Sequence, residues 1–380
     1  MSLVIEQPDA QADQTPKEPV TIEGLQKNLY IALAVLVIVA LGSVVYFYDT
    51  LFIAEETRLT PEQVFKQLLV SGDFDAALAL LPPGGTGEPT EQFVRFMSAL
   101  PAEQLKAAQL AEESYRLAEG NPVVQASHLN TIIEQLLVSR DKDLYDYFFR
   151  EGSPLVSMKK DTIDASAVAL AEYGMTLRPT SVSQVVLSLP HITAVNVAKS
   201  LTAKGVSEHI TEGIAKVEAA VALNEAEMKN MAVGDTYRAQ MRMLTWKSSM
   251  YGAAALKDPQ YLPKLKENAD QAVALYQQLV AANGRDNYLE ARIPPILVTY
   301  AGVMSRLGDE YDADTDGALE KIVGFVQKNP QMHEAVFVAT AKRLAAQKAD
   351  DRGYQYSTYK LLAAENDAFK GLLAQFGLTF

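Results

Sequence analysis

Three aspartates at alternate positions, Asp312, Asp314 and Asp316, are followed by Gly317 and then by Glu320. Carboxylate oxygens in that alternation suit a hard cation such as calcium, and the glycine permits the tight bend that brings them onto one ion. Leu319 supplies an apolar anchor and Glu320 a fourth acidic oxygen. The twelfth position counted from Asp312 is Val323, where a calcium loop would place a bidentate glutamate. A loop built this way is therefore short of two oxygens. The competing reading is an acidic connection between helices, in which Asp314 or Asp316 caps the following helix and its charge favours the positive end of the helix dipole. Asp312, Asp314, Asp316 and Glu320 are the candidate metal ligands, and calcium is the one cofactor that the residues suggest.

The aspartate spacing resembles the first half of an EF-hand loop. Elsewhere the sequence carries little that points to catalysis. His128, His191, His209 and His333 lie far apart in the chain. His209 and Glu212 share a helix face at i, i+3, which reads as a solvated polar face rather than a metal pair. Pro82-Pro83-Gly84-Gly85-Thr86-Gly87 lacks the Gly-Lys-Ser/Thr of a phosphate-binding loop, and neither a nucleophile elbow nor a dinucleotide fingerprint is present. Cysteine is absent, which excludes disulfide scaffolds and thiolate-ligated metals. Trp246, among Met241, Met243 and Met250, reads as core packing.

The elements that must position these residues begin with a membrane anchor. Asn28 to Tyr48 is a run of 21 residues with no charged side chain. A helix of that length is roughly 31 Å long and matches a bilayer core. Tyr30 at one end, and Tyr46, Phe47 and Tyr48 at the other, suit the headgroup layers. Lys27 and Asp49 bracket the run, so the expected transmembrane helix spans 28–50. The preceding residues 1–27 are polar and acidic, five acids against two lysines, and read as a disordered tail. An acidic leader and a full-length span argue for an anchor rather than a cleaved signal. Lys27 at one edge, with Asp49, Glu55 and Glu56 as the first charges beyond the other, tilts the N-terminus towards the cytoplasm and the large domain outside.

Residues 55–380 read as all-α, with two lobes meeting near 205. Alanine and leucine are abundant, and apolar residues recur at helical spacing. Thr60-Pro61-Glu62-Gln63 has the form of a helix start, followed by an apolar face at Val64, Phe65, Leu68 and Leu69. Ser71-Gly72-Asp73 breaks that helix and Ala76 to Leu81 begins another. Further helical patterns are expected at 90–99, 101–118, 123–138, 192–203, 206–231, 236–256, 263–282, 289–307, 317–327, 333–349 and 354–364. Ser181 to Leu189, with Val182, Val185 and Val186, fits a short strand or a helix.

The run from Val64 to Pro82 resembles the hairpin turn of a tetratricopeptide repeat, with Gly72, Phe74 and Ala77 in the places of that family's glycine, aromatic and alanine. The resemblance implies stacked antiparallel helices and a surface for protein partners. The stops at Asn283 and Asn329 are 46 residues apart, against about 34 in a regular repeat, so the expected array is irregular.

The net charge of −13 disfavours nucleic acid, and no basic stripe compensates. The reading that collects these features is a membrane-anchored, non-catalytic scaffold for proteins of an envelope complex for secretion, motility or assembly, held to the lipid bilayer through residues 28–48. An integral structural subunit of a multi-protein membrane assembly is the second reading, with Ala32, Ala34, Ala40, Gly42 and Ser43 as small contact points on the span. An enzyme with an unrecognised site is the third.

Overall fold

Polar caps mark the starts of several helices. Asn121 accepts a hydrogen bond from the Val124 amide at 3.3 Å, and Pro122 occupies the first helical turn. Asp73 caps its helix through the Ala76 amide at 3.1 Å. The computed structural model describes residues 59–71, 73–81, 101–200, 202–231, 233–283, 285–348 and 353–380. The expected tail (1–27), the expected transmembrane helix (28–50), the glycine-rich loop at 82–87 and the helix expected at 90–99 lie outside the described residues. Residues Met1–Thr60 and Pro61–Phe380 form two separate units.

The second unit is all-helical, and no strand occurs among the described residues. Its helices are α1 (Pro61–Ser71), α2 (Phe74–Ala79), α3 (Pro101–Leu117), α4 (Pro122–Ser139), α5 (Lys142–Phe148) and α6 (Ile163–Leu177). They continue with α7 (Ser181–Val186), α8 (Leu189–Val197), α9 (Val206–Met228), α10 (Val233–Ala255) and α11 (Leu262–Asn283). The last five are α12 (Asn287–Leu307), α13 (Asp312–Lys328), α14 (Pro330–Lys348), α15 (Tyr354–Glu365) and α16 (Asp367–Gln375). Phe74 and Ala77 are buried. Residue 205, expected near a junction of lobes, is Gly205 at the start of α9, inside the unit Pro61–Phe380.

Packing follows chain order for most of the unit: α3 on α4, α4 on α6, α6 on α7, α7 on α9, α9 on α10, and α10 on α11 and α12. That nearest-neighbour pattern is the one expected of helical arrays. The chain then returns on itself. Helix α14 packs against α4, and Lys342 pairs with Asp141, 201 residues earlier. Helix α12 is the axis of the C-terminal part. It packs on α10, α11, α13, α14 and α15, and Leu289, Ile293, Ile296, Ala301, Val303 and Met304 are almost wholly buried. Pro294 and Pro295 lie inside this helix and each withholds an amide from it. Packing on five neighbours outweighs that loss, since each fully buried aliphatic side chain contributes roughly 1.5–3 kcal/mol.

The ambiguous segment after Pro179 is helix α7. Thr180 caps it by accepting from the Ser183 amide at 3.1 Å, and Val182, Val185 and Val186 are buried at i, i+3, i+4. Trp246 is half-buried against the core and Met241, Met243 and Met250 are fully inside it.

Candidate functional site

One face of α4 carries a polar stripe. Ser127, Asn130, Thr131 and Glu134 recur at i, i+3, i+4 and i+7, while Leu129, Ile132, Ile133 and Leu136 fill the other faces of the same buried helix. The stripe forms one wall of a cleft of about 440 Å³. The turn from α6 into α7 adds Arg178, Pro179, Thr180 and Val182. The C-terminal end of α9 adds Leu223, Ala226 and Glu227, with Asn230 and Met231 just beyond it, and α10 adds Arg242.

The floor is ionic. Arg242 Nε lies 2.7 Å from Glu134 Oε1, and both residues are less than a tenth exposed. Arg292 of α12 approaches the same oxygen at 3.9 Å from behind, its guanidinium 5.1 Å from the Tyr288 ring centre. Burial pulls the Arg242 pKa down, but Glu134, Tyr288 and Glu227 outweigh it and raise it above the ordinary arginine value. A buried pair of this kind contributes little net stability while intact, and its loss exposes the partner to the full cost of an uncompensated charge.

The walls are hydrogen-bonded to each other. Asn130 Oδ1 accepts from the Thr180 hydroxyl at 3.2 Å and the Ser183 hydroxyl at 3.1 Å, tying α4 to the start of α7. Glu227 receives the Ser181 amide at 2.8 Å and the Ser181 hydroxyl at 2.6 Å. A carboxylate at the first amide of a helix is well matched to its free N–H groups. Gly174 makes the close approach of α6 and α7 feasible, because a Cβ there would fall 2.6 Å from Ser183 Oγ. At the mouth, Arg178 and Asn230 are exposed and Met231 is half-exposed.

This arrangement can recognise a partner by hydrogen bonds, charge and apolar contact. Its carboxylates are already engaged, Glu134 by arginine and Glu227 by Ser181, and no histidine lines it. The serine hydroxyl that meets a cleft carboxylate is Ser181, which donates to Glu227.

The residues singled out as metal ligands lie elsewhere. Asp312, Asp314, Asp316 and Glu320 all belong to helix α13, so the expected loop is a correction: the segment is helical from Asp312 onward. Thr315, Ala318, Leu319, Ile322 and Val326 are buried at helical spacing, and that apolar stripe begins at Thr315. The acidic residues are left on the outer face, exposed. On a helix, Asp314 points away from the side shared by Asp312, Asp316 and Glu320. The capping role is also revised. Tyr311 occupies the cap position without a side-chain cap bond, and Asp312 and Asp314 sit in the first turn. Asp316 accepts from Asn366 Nδ2 at 3.1 Å, and Asn366 in turn caps α16 through the Phe369 amide at 3.0 Å. Val323 packs against the core. Among the described residues, no group of three or more His, Asp or Glu side chains stands ready to hold a metal ion.

Four of the cleft's polar residues could have been found from the α4 stripe, whose period is visible in the sequence. Its partners could not, since they arrive from turns and helices roughly 50 to 110 residues further on. No protein-family model, no curated protein and no solved structure matches this chain.

Proposed function

We propose that this protein is a membrane-anchored helical scaffold that holds a polypeptide segment of a partner in the cleft between α4, α7, α9 and α10. The observation that carries the reading is the cleft's composition. It offers an ionic floor, hydrogen-bonding walls and an exposed mouth formed by Arg178, Asn230 and Met231. Its volume accommodates a few side chains of an extended peptide and falls within the range of small binding sites. The helical hairpins that frame it are of the type that stacks into interaction surfaces.

The anchor in this reading is the uncharged run Asn28 to Tyr48. Among the described residues no helix is long and apolar enough to cross a membrane. Tethering raises the local concentration of the scaffold beside a membrane complex. The charges that flank the run support a cytoplasmic N-terminus, with the helical unit outside.

Full-length protein expressed in its membrane tests both parts. The chain should resist alkaline carbonate extraction, and a chain lacking 28–48 should be released. Crosslinking pull-down with the wild type should recover a partner that Arg178→Glu recovers poorly. Release of the full-length chain by carbonate would refute the anchor, and undiminished capture by Arg178→Glu would refute the cleft. Recovery in fixed stoichiometry with integral membrane proteins, insensitive to Arg178, would favour the structural-subunit reading.

A further inference from the structure

His191 on α8 and His209 on α9 face each other. Their Nδ1 atoms are 3.2 Å apart and their ring centres 5.4 Å apart, with the planes inclined at 58°. Glu212 Oε2 lies 3.5 Å from the same His191 nitrogen, on a side chain that is half exposed. The backbone is built for this approach. Gly205, at a φ of 80°, turns the connection into α9, and the His209 amide donates to its carbonyl at 2.9 Å. Gly213 lets α8 settle onto α9, because a Cβ there would stand 3.0 Å from His191 Cβ and 2.5 Å from Met250 Sδ.

We infer that His191 and His209 form a two-imidazole chelate for a divalent transition-metal ion of the zinc, copper or nickel class, clamping α8 to α9. Bonds of about 2.0–2.1 Å in a tetrahedral arrangement hold two donor nitrogens roughly 3.3 Å apart, close to the separation of the present Nδ1–Nδ1 hydrogen bond, whose proton the ion would displace. Imidazole is the ligand that such ions share. Two nitrogens leave coordination positions for water. Glu212 is the neighbouring carboxylate that offsets the ion's charge and is not counted as a ligand. Burial, opposed by Glu212 and assisted by His209 and Lys216, lowers the His191 pKa. Lys216 is the cation that the incoming ion has to tolerate, and Glu212 lies between the two in the helix sequence. The inference does not depend on the cleft or on the anchor.

The test uses tag-free full-length chain in detergent micelles, stripped with a chelator and titrated with Zn²⁺ by calorimetry. One equivalent should bind and raise Tm, while Ca²⁺ at the same concentration should do neither. His191→Ala and His209→Ala should each weaken Zn²⁺ binding by more than about tenfold, and Glu212→Gln by about tenfold or less. Equal Zn²⁺ affinity in the wild type and the double histidine variant would overturn the chelate, and so would the absence of Zn²⁺ binding. Electron paramagnetic resonance of Cu²⁺-loaded wild type needs no variant to fold. Two coordinated nitrogens are expected, and an all-oxygen ligand set would overturn the assignment.

Discussion

The cleft and the N-terminal end of α13 are both rich in charge, and they differ in how that charge was assembled. In α13 the acidic residues are neighbours in sequence, Asp312 to Glu320, and the helix spreads them over its exposed face. In the cleft, Glu134, Arg178, Glu227 and Arg242 come from four separate places in the chain and converge on one space. A local run of like residues is conspicuous but need not converge. A site drawn from several helices converges because packing leaves it no alternative.

The sharpest way to break that contrast is to remove charge from each region in turn. Glu134→Gln leaves Arg242 buried without its carboxylate, and should cost about 3–5 kcal/mol in urea unfolding monitored by circular dichroism. A loss below about 1 kcal/mol would mean that the pair is wetter than its burial indicates.

A second buried charge site sharpens the comparison through pH. His333 has no exposed surface, and its pKa is drawn down to about 4 by burial, with Glu290 at 4.0 Å opposing and Arg285 assisting. The unfolded chain binds a proton near the ordinary histidine value of about 6.5, while the folded chain refuses it until about 4. Stability should therefore fall as the pH drops from about 6.5 towards about 4, by up to about 3 kcal/mol, and level off below that. His333→Leu should flatten this part of the profile. An unchanged slope in that variant would assign the acid sensitivity to other groups.

Packing at the cleft wall should matter less than its charge. Gly174→Ala drives a methyl group towards Ser183 Oγ and Leu129, and should cost about 1–3 kcal/mol in the same unfolding assay. The smallest effect belongs to α13. Asp312→Asn and Asp314→Asn should each cost about 0.5 kcal/mol or less, as first-turn acids on an exposed helix end do. Millimolar Ca²⁺ should leave Tm unmoved. A calcium-dependent rise in Tm that these two variants abolish would support the metal reading of the acidic run.

Much of the helical order was legible in the sequence because it rests on local signals. Asn121-Pro122 marks a boundary that the structure keeps, and Pro61 opens its helix where the cap pattern predicts. The acidic segment was misread because the buried stripe of α13 starts on Thr315, a polar residue that a search for apolar period passes over. Helix α7 was ambiguous because its valines suit a strand, and what decides it is the Thr180 cap together with Glu227, 46 residues after Ser181. The cleft was half legible. The stripe on α4 lies in one helix, but its convergence with α7, α9 and α10 is a tertiary fact. His191 and His209 were equally out of reach, 18 residues apart in sequence and 3.2 Å apart in space.

Site-specific photocrosslinking in intact membranes tests the central claim most directly. A photoreactive side chain is placed at Asn230, at the mouth of the cleft, and in a second protein at Asp312, on the exposed acidic face. The account predicts discrete adducts with a partner polypeptide from Asn230, lost when Arg178→Glu is added, and none from Asp312. Adducts from Asp312 with none from Asn230 would contradict it.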